Sequence, residues 1–567
     1  KNKTKTPTMR LAKIIFFARL ICLPPTLASS GIKQSATLRE NFELNQQMEK
    51  PIKILVLGAG WAGVSAAYTL LNDPGIKQED IIVLEGRNEI GGRLRNARLR
   101  DGTVLELGAN WIHGKVSQHC GTNPLWPLAQ KIKLQGRDSD YDDMTAFDIK
   151  QGRLPMNQTR WGEFRTVMKC VESVRANLRK KVRNGERGID ISTRSAMQKC
   201  GWYPRTPMDA AVEWNRFDYD YGTSPFGSGT AGKSKSCSGE NPHSGSKDFM
   251  ITDSRGYKAL VEEMAKPFYP RIKRNHIVKS INQTSTGYIV VTALDTAALR
   301  EVTFKAKYVI STFSVGVLQR SVGRFNHLPD LVKFTPQLPS WKRDLISEKM
   351  SMALYTKLFL QFNSTFWDDT EFIMWASSHR GYYSGWQNMD KVMKGSRMLL
   401  VTLTGELALA AARSQDQDVI SEAMIELRKF YKNAPEPIDY SLHHWGNDEF
   451  VLGSYSDLST NVLEHHTRLL SYPVGNLYFS GEATHRDFYG TAHGALLSGA
   501  YAARLILQCI AGSCLPPYTP RSFLEWYYGW DEQSSYCHLK RSSSECRGVE
   551  GCAWSLGTCV PRLPSPV

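Results

Sequence analysis

The residues best suited to chemistry stand near the start of the folded region. Gly58-Ala-Gly60-Trp-Ala-Gly63 follows the apolar run Ile54–Leu57. Glycines at this spacing allow a tight turn, a close approach of backbone to a pyrophosphate, and tight packing of a helix on a strand. Glu85 ends the next apolar run, Ile81–Leu84. A carboxylate about 20 residues past the glycines can accept from ribose hydroxyls. Gly91-Gly92-Arg93 comes next. Its glycines let the backbone reach a ligand, and its guanidinium suits a phosphate. These residues describe a nucleotide site. By themselves they are compatible with NAD, NADP or FAD.

Holding those groups in place requires a strand, a helix and a second strand. Ile54–Leu57 reads as a buried parallel strand, Ala62–Leu71 as the helix facing the phosphates, and Ile81–Leu84 as the next strand. Further along, the pattern predicts a helix over Trp161–Arg183. Strands follow at His276–Ile281, Tyr288–Ala293 and Lys307–Thr312, then a helix near Asp418–Tyr431, a strand at Leu477–Ser480 and a helix over Ala492–Ile506. Gly222–Lys247 is rich in Gly and Ser and reads as a loop. Nucleotide-type segments (51–115, 251–330, 441–510) thus alternate with others (116–250, 331–440). The expected fold is mixed α/β and α+β, a discontinuous Rossmann-like domain interleaved with a substrate domain. A cleft between two such domains is a common small-molecule site.

The 567 residues are 41% hydrophobic and carry a net charge of +16. No single basic stripe is visible. Arg179-Lys-Lys-Val-Arg183 reads as a solvated helix face, so nucleic acid is not an expected partner. Residues 1–30 look like a leader: Met9-Arg-Leu-Ala-Lys13, the apolar Ile14–Leu23, then Ala28-Ser-Ser30. That run is too short to span a bilayer, which takes about 20 apolar residues. No other span is evident, so secretion is expected. Residues 31–50 read as a polar arm and 511–567 as a Cys-rich tail. Beyond Cys22 in the leader, an even number of cysteines remains, with Cys514, Cys537, Cys546, Cys552 and Cys559 late. This suits a disulfide framework in an exported chain. Asn157, Asn282 and Asn363 begin glycosylation sequons. His443-His444 and His465-His466 lack metal-site spacing, and no metal is expected.

Three further motifs add distant support: Leu107-Gly-Ala-Asn-Trp-Ile-His-Gly114, Leu477-Tyr-Phe-Ser-Gly-Glu-Ala-Thr-His485 and Tyr489-Gly-Thr-Ala-His-Gly-Ala495. With them the chain resembles the flavin-dependent amine oxidases, most closely the polyamine oxidases, over roughly residues 51–510. The resemblance implies FAD, a polyamine substrate and O2. Gly58, Gly60, Gly63, Glu85 and Arg93 would hold the cofactor. Gly108, Ala109, Asn110 and Trp111 would line it, Val278 would meet adenine through its backbone, and Glu482 would serve the ribityl–phosphate region. Ala492 would offer its amide to the flavin from the start of the last helix, favouring negative charge there.

The same resemblance makes Lys357 the catalytic candidate, a lysine holding water against the flavin. In Met352–Phe362 strand alternation puts Ala353, Tyr355, Lys357, Phe359 and Gln361 on one face. By itself this would read as an edge-strand lysine. Burial is expected to lower its pKa. His113 corresponds to a histidine of animal-type polyamine oxidases, where plant-type members carry Glu, and becomes a substrate contact. Asp218 and Asp220 share a face if Arg216–Tyr221 is extended, and could attract a polycation. Tyr455 could form one aromatic wall. Thr491 stands where plant-type members have the other. Thr484–Gly494 contains no Cys, so FAD is expected to be non-covalent. Two alternatives are an L-amino-acid oxidase, which would need a cation for the substrate carboxylate, and a non-catalytic flavin-bound interaction protein.

Overall fold

Two large sheets organise the computed structural model. It describes residues 51–117, 121–183, 190–232, 247–323, 328–460, 462–520, 522, 552–555 and 558–561. The leader, the arm, and Cys22, Cys120, Cys237, Cys537 and Cys546 lie outside the described residues.

The first sheet has eight strands. Ile52–Leu57 lies between Ile81–Leu84 and Arg300–Ser311 and is parallel to both. Ile272–Lys273 and Leu477–Phe479 add in parallel on either side. Ile289–Asp295 and His276–Gln283 extend the sheet antiparallel, and Lys333–Thr335 completes it. Ile54, Leu55, Val56 and Leu57 are fully buried. A central parallel strand is covered on both faces, so an unbroken apolar run is what it requires. The helices Trp61–Leu71 and Ala492–Ile510 pack on this sheet and on each other. A Cβ at Gly499 would stand 2.0 Å from the Ala62 carbonyl oxygen. Small residues therefore set this helix–helix distance. The Ser65 hydroxyl closes the contact by donating to Leu496 O at 2.7 Å.

The second sheet has seven strands: Gly152–Leu154, Met144–Asp148, Phe372–Ala376, Gly385–Asn388, Met398–Thr404, Tyr355–Gln361 and Asp439–Leu442, in that spatial order. Alternation along Tyr355–Gln361 splits its side chains. Leu358 and Leu360 pack under the helix Asp416–Phe430 with Ile420, Ala423 and Leu427. Phe359 packs on the opposite side with Leu105, Trp111 and Met250. Lys357 follows Phe359 to that side, and the strand so delivers a lysine toward the first sheet.

Two local expectations are corrected. The run 352–362 is not one strand. Met350–Met352 pairs with Ser456–Leu458, and Ala353 N bonds Tyr455 O at 2.8 Å before the main strand starts at Tyr355. Asp218–Tyr221 is a helical turn rather than an extended segment. Its amides close onto Phe217 O and Asp218 O, and Gly222 caps it at φ +61°. Alternation fails there because neither residue pairs with a neighbouring strand. Cys170–Cys200 ties the helix Trp161–Arg183 to the end of Thr193–Lys199, and Cys514 pairs with Cys509. In the tail, Cys552–Ser555 pairs with Thr558–Pro561.

Candidate active site

A cavity of about 450 Å³ runs from the glycine turn of the first sheet to the second sheet. Its first part is lined by a run of glycines, Gly58, Gly60, Gly86, Gly91 and Gly92, among larger residues. Gly58 sits at φ +106°, and a Cβ there would meet Thr312 Oγ1 at 2.4 Å. A Cβ on Gly63 would lie 1.8 Å from Gly58 O, so helix and strand can meet only through glycine. Gly60 faces the backbone of Gly91 and Gly92 across the cavity wall. Glu85 accepts Ala59 N at 2.8 Å on one oxygen and Arg87 N at 2.9 Å on the other. Burial pushes its pKa up, and these amides oppose that. Val278 lines the same end, at a register shift in its strand.

The middle of the cavity carries the next group of charges. Arg93 Nη1 donates to Ser454 O at 2.9 Å and to Glu482 at 2.8 Å. Glu482 also accepts Gly490 N at 2.8 Å and the Ser456 hydroxyl. It therefore acts first as the clamp for Arg93, which itself lines the cavity. The helix Ala492–Ile510 opens on the cavity at Thr491, Ala492 and His493. Thr491 is its N-cap: the hydroxyl accepts Gly494 N at 3.0 Å. A helix start aimed into a cavity favours negative charge.

The far end is built from side chains. Lys357 is 4% exposed and lines the cavity. Its Nζ donates to Glu106 O at 3.1 Å, Gly108 O at 2.5 Å and Asn110 Oδ1 at 2.8 Å. Three protein acceptors thus match the three donors of an ammonium. Burial lowers its pKa to about 7, partly offset by the Glu106 charge. Glu106 is buried too, which raises its carboxyl to about 7. Its Oε1 accepts Tyr257 N at 2.7 Å and Asn96 Nδ2 at 2.9 Å, while Oε2 has no hydrogen-bond partner among the described residues. Trp111 lies 5.9 Å from Lys357 Nζ, and its indole donates to Ser139.

Around Lys357 stand rings and acids. Tyr219, Tyr355 and Tyr455 follow one another at 6.1 Å between centroids. Tyr141 is 6.4 Å from Trp111. His113 Nδ1 bonds Asp248 Oδ2 at 2.8 Å, and Asp248 Oδ1 accepts Gly114 N at 2.8 Å. A buried carboxylate therefore fixes the ring of His113. Asp220 and Asp457 also line the cavity.

Nearly all the residues singled out from sequence line this cavity, from Gly58 and Glu85 through His113, Asp220 and Tyr355 to Thr491 and Ala492. Gly63 supports it from behind. Asp218 does not join it. The helical turn points Asp218 away from Asp220, and it is buried against Arg380 instead. Sequence reasoning missed Asp248, Tyr219, Tyr141 and Glu106. Tyr219 and Glu106 sit inside or beside quoted motifs, so their proximity was a usable signal. Asp248 follows a Gly/Ser-rich stretch and carried none.

The comparisons agree with this geometry. The family model for flavin containing amine oxidoreductases matches residues 61–507. The chain belongs to this family. Polyamine oxidase 1 of Zea mays is 31% identical over 81% of the chain and 90% of its own length. Polyamine oxidase 6 of Oryza sativa subsp. japonica is 31% identical over 89% and 97%. Polyamine oxidase 7 of the same species is 31% identical over 88% and 100%. The protein is therefore an amine oxidoreductase whose cofactor is FAD, held without a covalent bond. The residues fit that cofactor: a glycine turn that admits no Cβ at Gly58 or Gly63, an acid at the strand end, an arginine clamped by Glu482, and no cysteine in the lining among the described residues. Among the described residues no helix is long and apolar enough to cross a membrane, and no group of three or more His, Cys, Asp or Glu could hold a metal.

Proposed function

We propose that this oxidoreductase acts on polyamines, spermine or spermidine or their acetylated forms, and yields an aldehyde, an amine and H2O2. The supporting observation is the balance of charge at the far end of the cavity. Asp220, Asp248 and Asp457 line it among tyrosines, and Lys357, the one lysine there among the described residues, is committed to three acceptors. Carboxylates attract ammonium groups, and ring faces accept both cations and methylene stems. The carboxylate of an amino acid would meet like charge instead, which disfavours the L-amino-acid oxidase reading.

Bound FAD supplies the redox chemistry, accepting a hydride from the carbon beside the amine nitrogen and passing the electrons to O2. The protein binds, orients and handles protons. Lys357 holds or releases a proton at Nζ near neutral pH, because burial has brought its pKa to about 7. His113, fixed by Asp248, contacts the amine. Tyr355 and Tyr455 form the walls, Asp220 draws the distal ammonium, and Thr491 shapes the floor by starting the last helix. Water then hydrolyses the released imine.

Of the residues given to the substrate, Asp220, Tyr355 and Lys357 come from segments 116–250 and 331–440, while His113, Tyr455 and Thr491 come from the segments that also hold the cofactor. Secretion is part of the proposal. It is supported by the leader-like sequence, by the Cys170–Cys200 and Cys509–Cys514 bonds, and by the exposure of Asn157, Asn282 and Asn363. Anaerobic mixing with spermine, spermidine and their acetyl forms tests the activity. The oxidised flavin band should bleach with at least one of them; a band unchanged by all would sink the reading. Product analysis then shows which C–N bond breaks.

A further inference from the structure

The turn Asp218–Tyr221 places Tyr219, Asp220 and Tyr221 on the cavity wall, yet it has only four residues. So short a helix does not hold its own position in water. Its inner side is fitted to the site. Tyr455 Oη donates to Asp220 O at 2.8 Å, and Tyr219 meets Tyr355 edge to face. Its outer side is tied to a buried network of charges.

Asp218 is 5% exposed and accepts Arg380 Nη1 and Nη2 at 2.8 and 2.6 Å. Arg380 Nε donates to Glu213 at 2.8 Å. Glu213, fully buried, also holds both terminal nitrogens of Arg194 and the Trp202 indole. Two carboxylates and two guanidiniums balance to zero charge. They join the turn to the helices Thr193–Lys199 and Pro207–Arg216 and to the loop after Phe372–Ala376. That loop is itself packed hard: a Cβ on Gly381 would meet Trp214 at 2.5 Å, and Trp214 lies 6.1 Å from Tyr219.

We propose that Arg380, gripped by Asp218 and Glu213, is a positioning residue for amine binding, holding the 218–221 turn so that Tyr219, Asp220 and Tyr221 face the distal ammonium of the substrate. This rests on the polyamine reading above. The bidentate fork is what the role needs, since two parallel bonds fix orientation as well as distance. Burial pushes the Asp218 carboxyl up to about 6 despite Arg380, so the guanidinium is what keeps it charged at neutral pH.

The test uses the flavin-loaded protein and the variants Arg380→Gln, Arg380→Lys and Asp218→Asn. Three quantities are read: bound flavin, anaerobic flavin reduction against spermine concentration, and hydrogen exchange of the peptide spanning 216–223. In Arg380→Gln the half-saturating spermine concentration should rise about tenfold while the limiting reduction rate changes by no more than about twofold. Flavin should be retained and exchange across 216–223 should quicken. Arg380→Lys should fall between, and a variant carrying both Arg380→Gln and Asp218→Asn should be no worse than Arg380→Gln alone. Unchanged exchange and unchanged half-saturation would overturn the proposal. So would a joint loss of flavin and limiting rate, which marks a purely structural role. If Arg380→Gln does not fold, Asp218→Asn, with its volume kept, carries the same measurements. If wild-type flavin is bleached by no polyamine, the substrate reading fails, and the exchange measurement still decides whether the network holds the turn.

Discussion

The two ends of the cavity are built by different means. At the nucleotide end the lining is rich in glycine, with one stretch from Gly58 to Leu94 joined by residues 276–279, 312–317 and 445–451. At the amine end it is side chains, drawn from around residues 106–113, 141, 219–221, 248, 355–357 and 455–457. The first is fixed by close backbone packing, since Gly58 and Gly63 leave no room for a side chain. The second depends on burial and on ion pairs, where charges tune one another. Backbone geometry therefore governs whether the cofactor is held, and side-chain electrostatics govern what is done with it.

The sharpest way to break the nucleotide end is Gly63→Val. The first added carbon collides with Gly58 O, a backbone atom that cannot yield. Overpacking should cost about 1–3 kcal/mol of stability and most of the bound flavin, read by absorbance and thermal melting. At the amine end, Lys357→Met should leave flavin content intact and slow turnover about 100-fold or more. A variant that loses its flavin instead would place Lys357 in cofactor binding and blur the contrast.

Glu106→Gln should act more mildly and through charge. The Glu106 carboxylate raises the Lys357 pKa, so removing it lets that pKa fall below about 7. The limb of the pH–rate profile assigned to Lys357 should move to lower pH, with flavin binding unchanged. Movement to higher pH would contradict the coupling. The smallest effect is expected where the two ends meet. Thr491→Ala removes the cap of the last helix and should cost about 1 kcal/mol, seen as a modest drop in melting temperature with the amine dependence retained.

The strand–turn–helix–strand unit was legible in the sequence almost residue for residue. Ile81–Leu84 and Trp161–Arg183 stand as read, and the last helix runs to Ile510 rather than Ile506. Patterns of this kind are local, since each strand or helix writes its own period. Asp218 shows the limit. Its spacing from Asp220 suggested a shared face, but the turn is helical and Arg380, distant in sequence, claims it. Lys357 shows another. Its strand was legible, yet the three oxygens that hold its Nζ come from Glu106, Gly108 and Asn110 on a separate segment.

Residue types and spacing thus determined the nucleotide unit, the family, and the flavin that follows from it, because glycine turns and buried strands leave signatures within a few residues of one another. Only the tertiary structure decided which carboxylates face the amine, which one anchors the turn beside it, and how far burial lowers the pKa of Lys357. Those outcomes depend on desolvation and on partners brought together across hundreds of residues, and no local pattern encodes either.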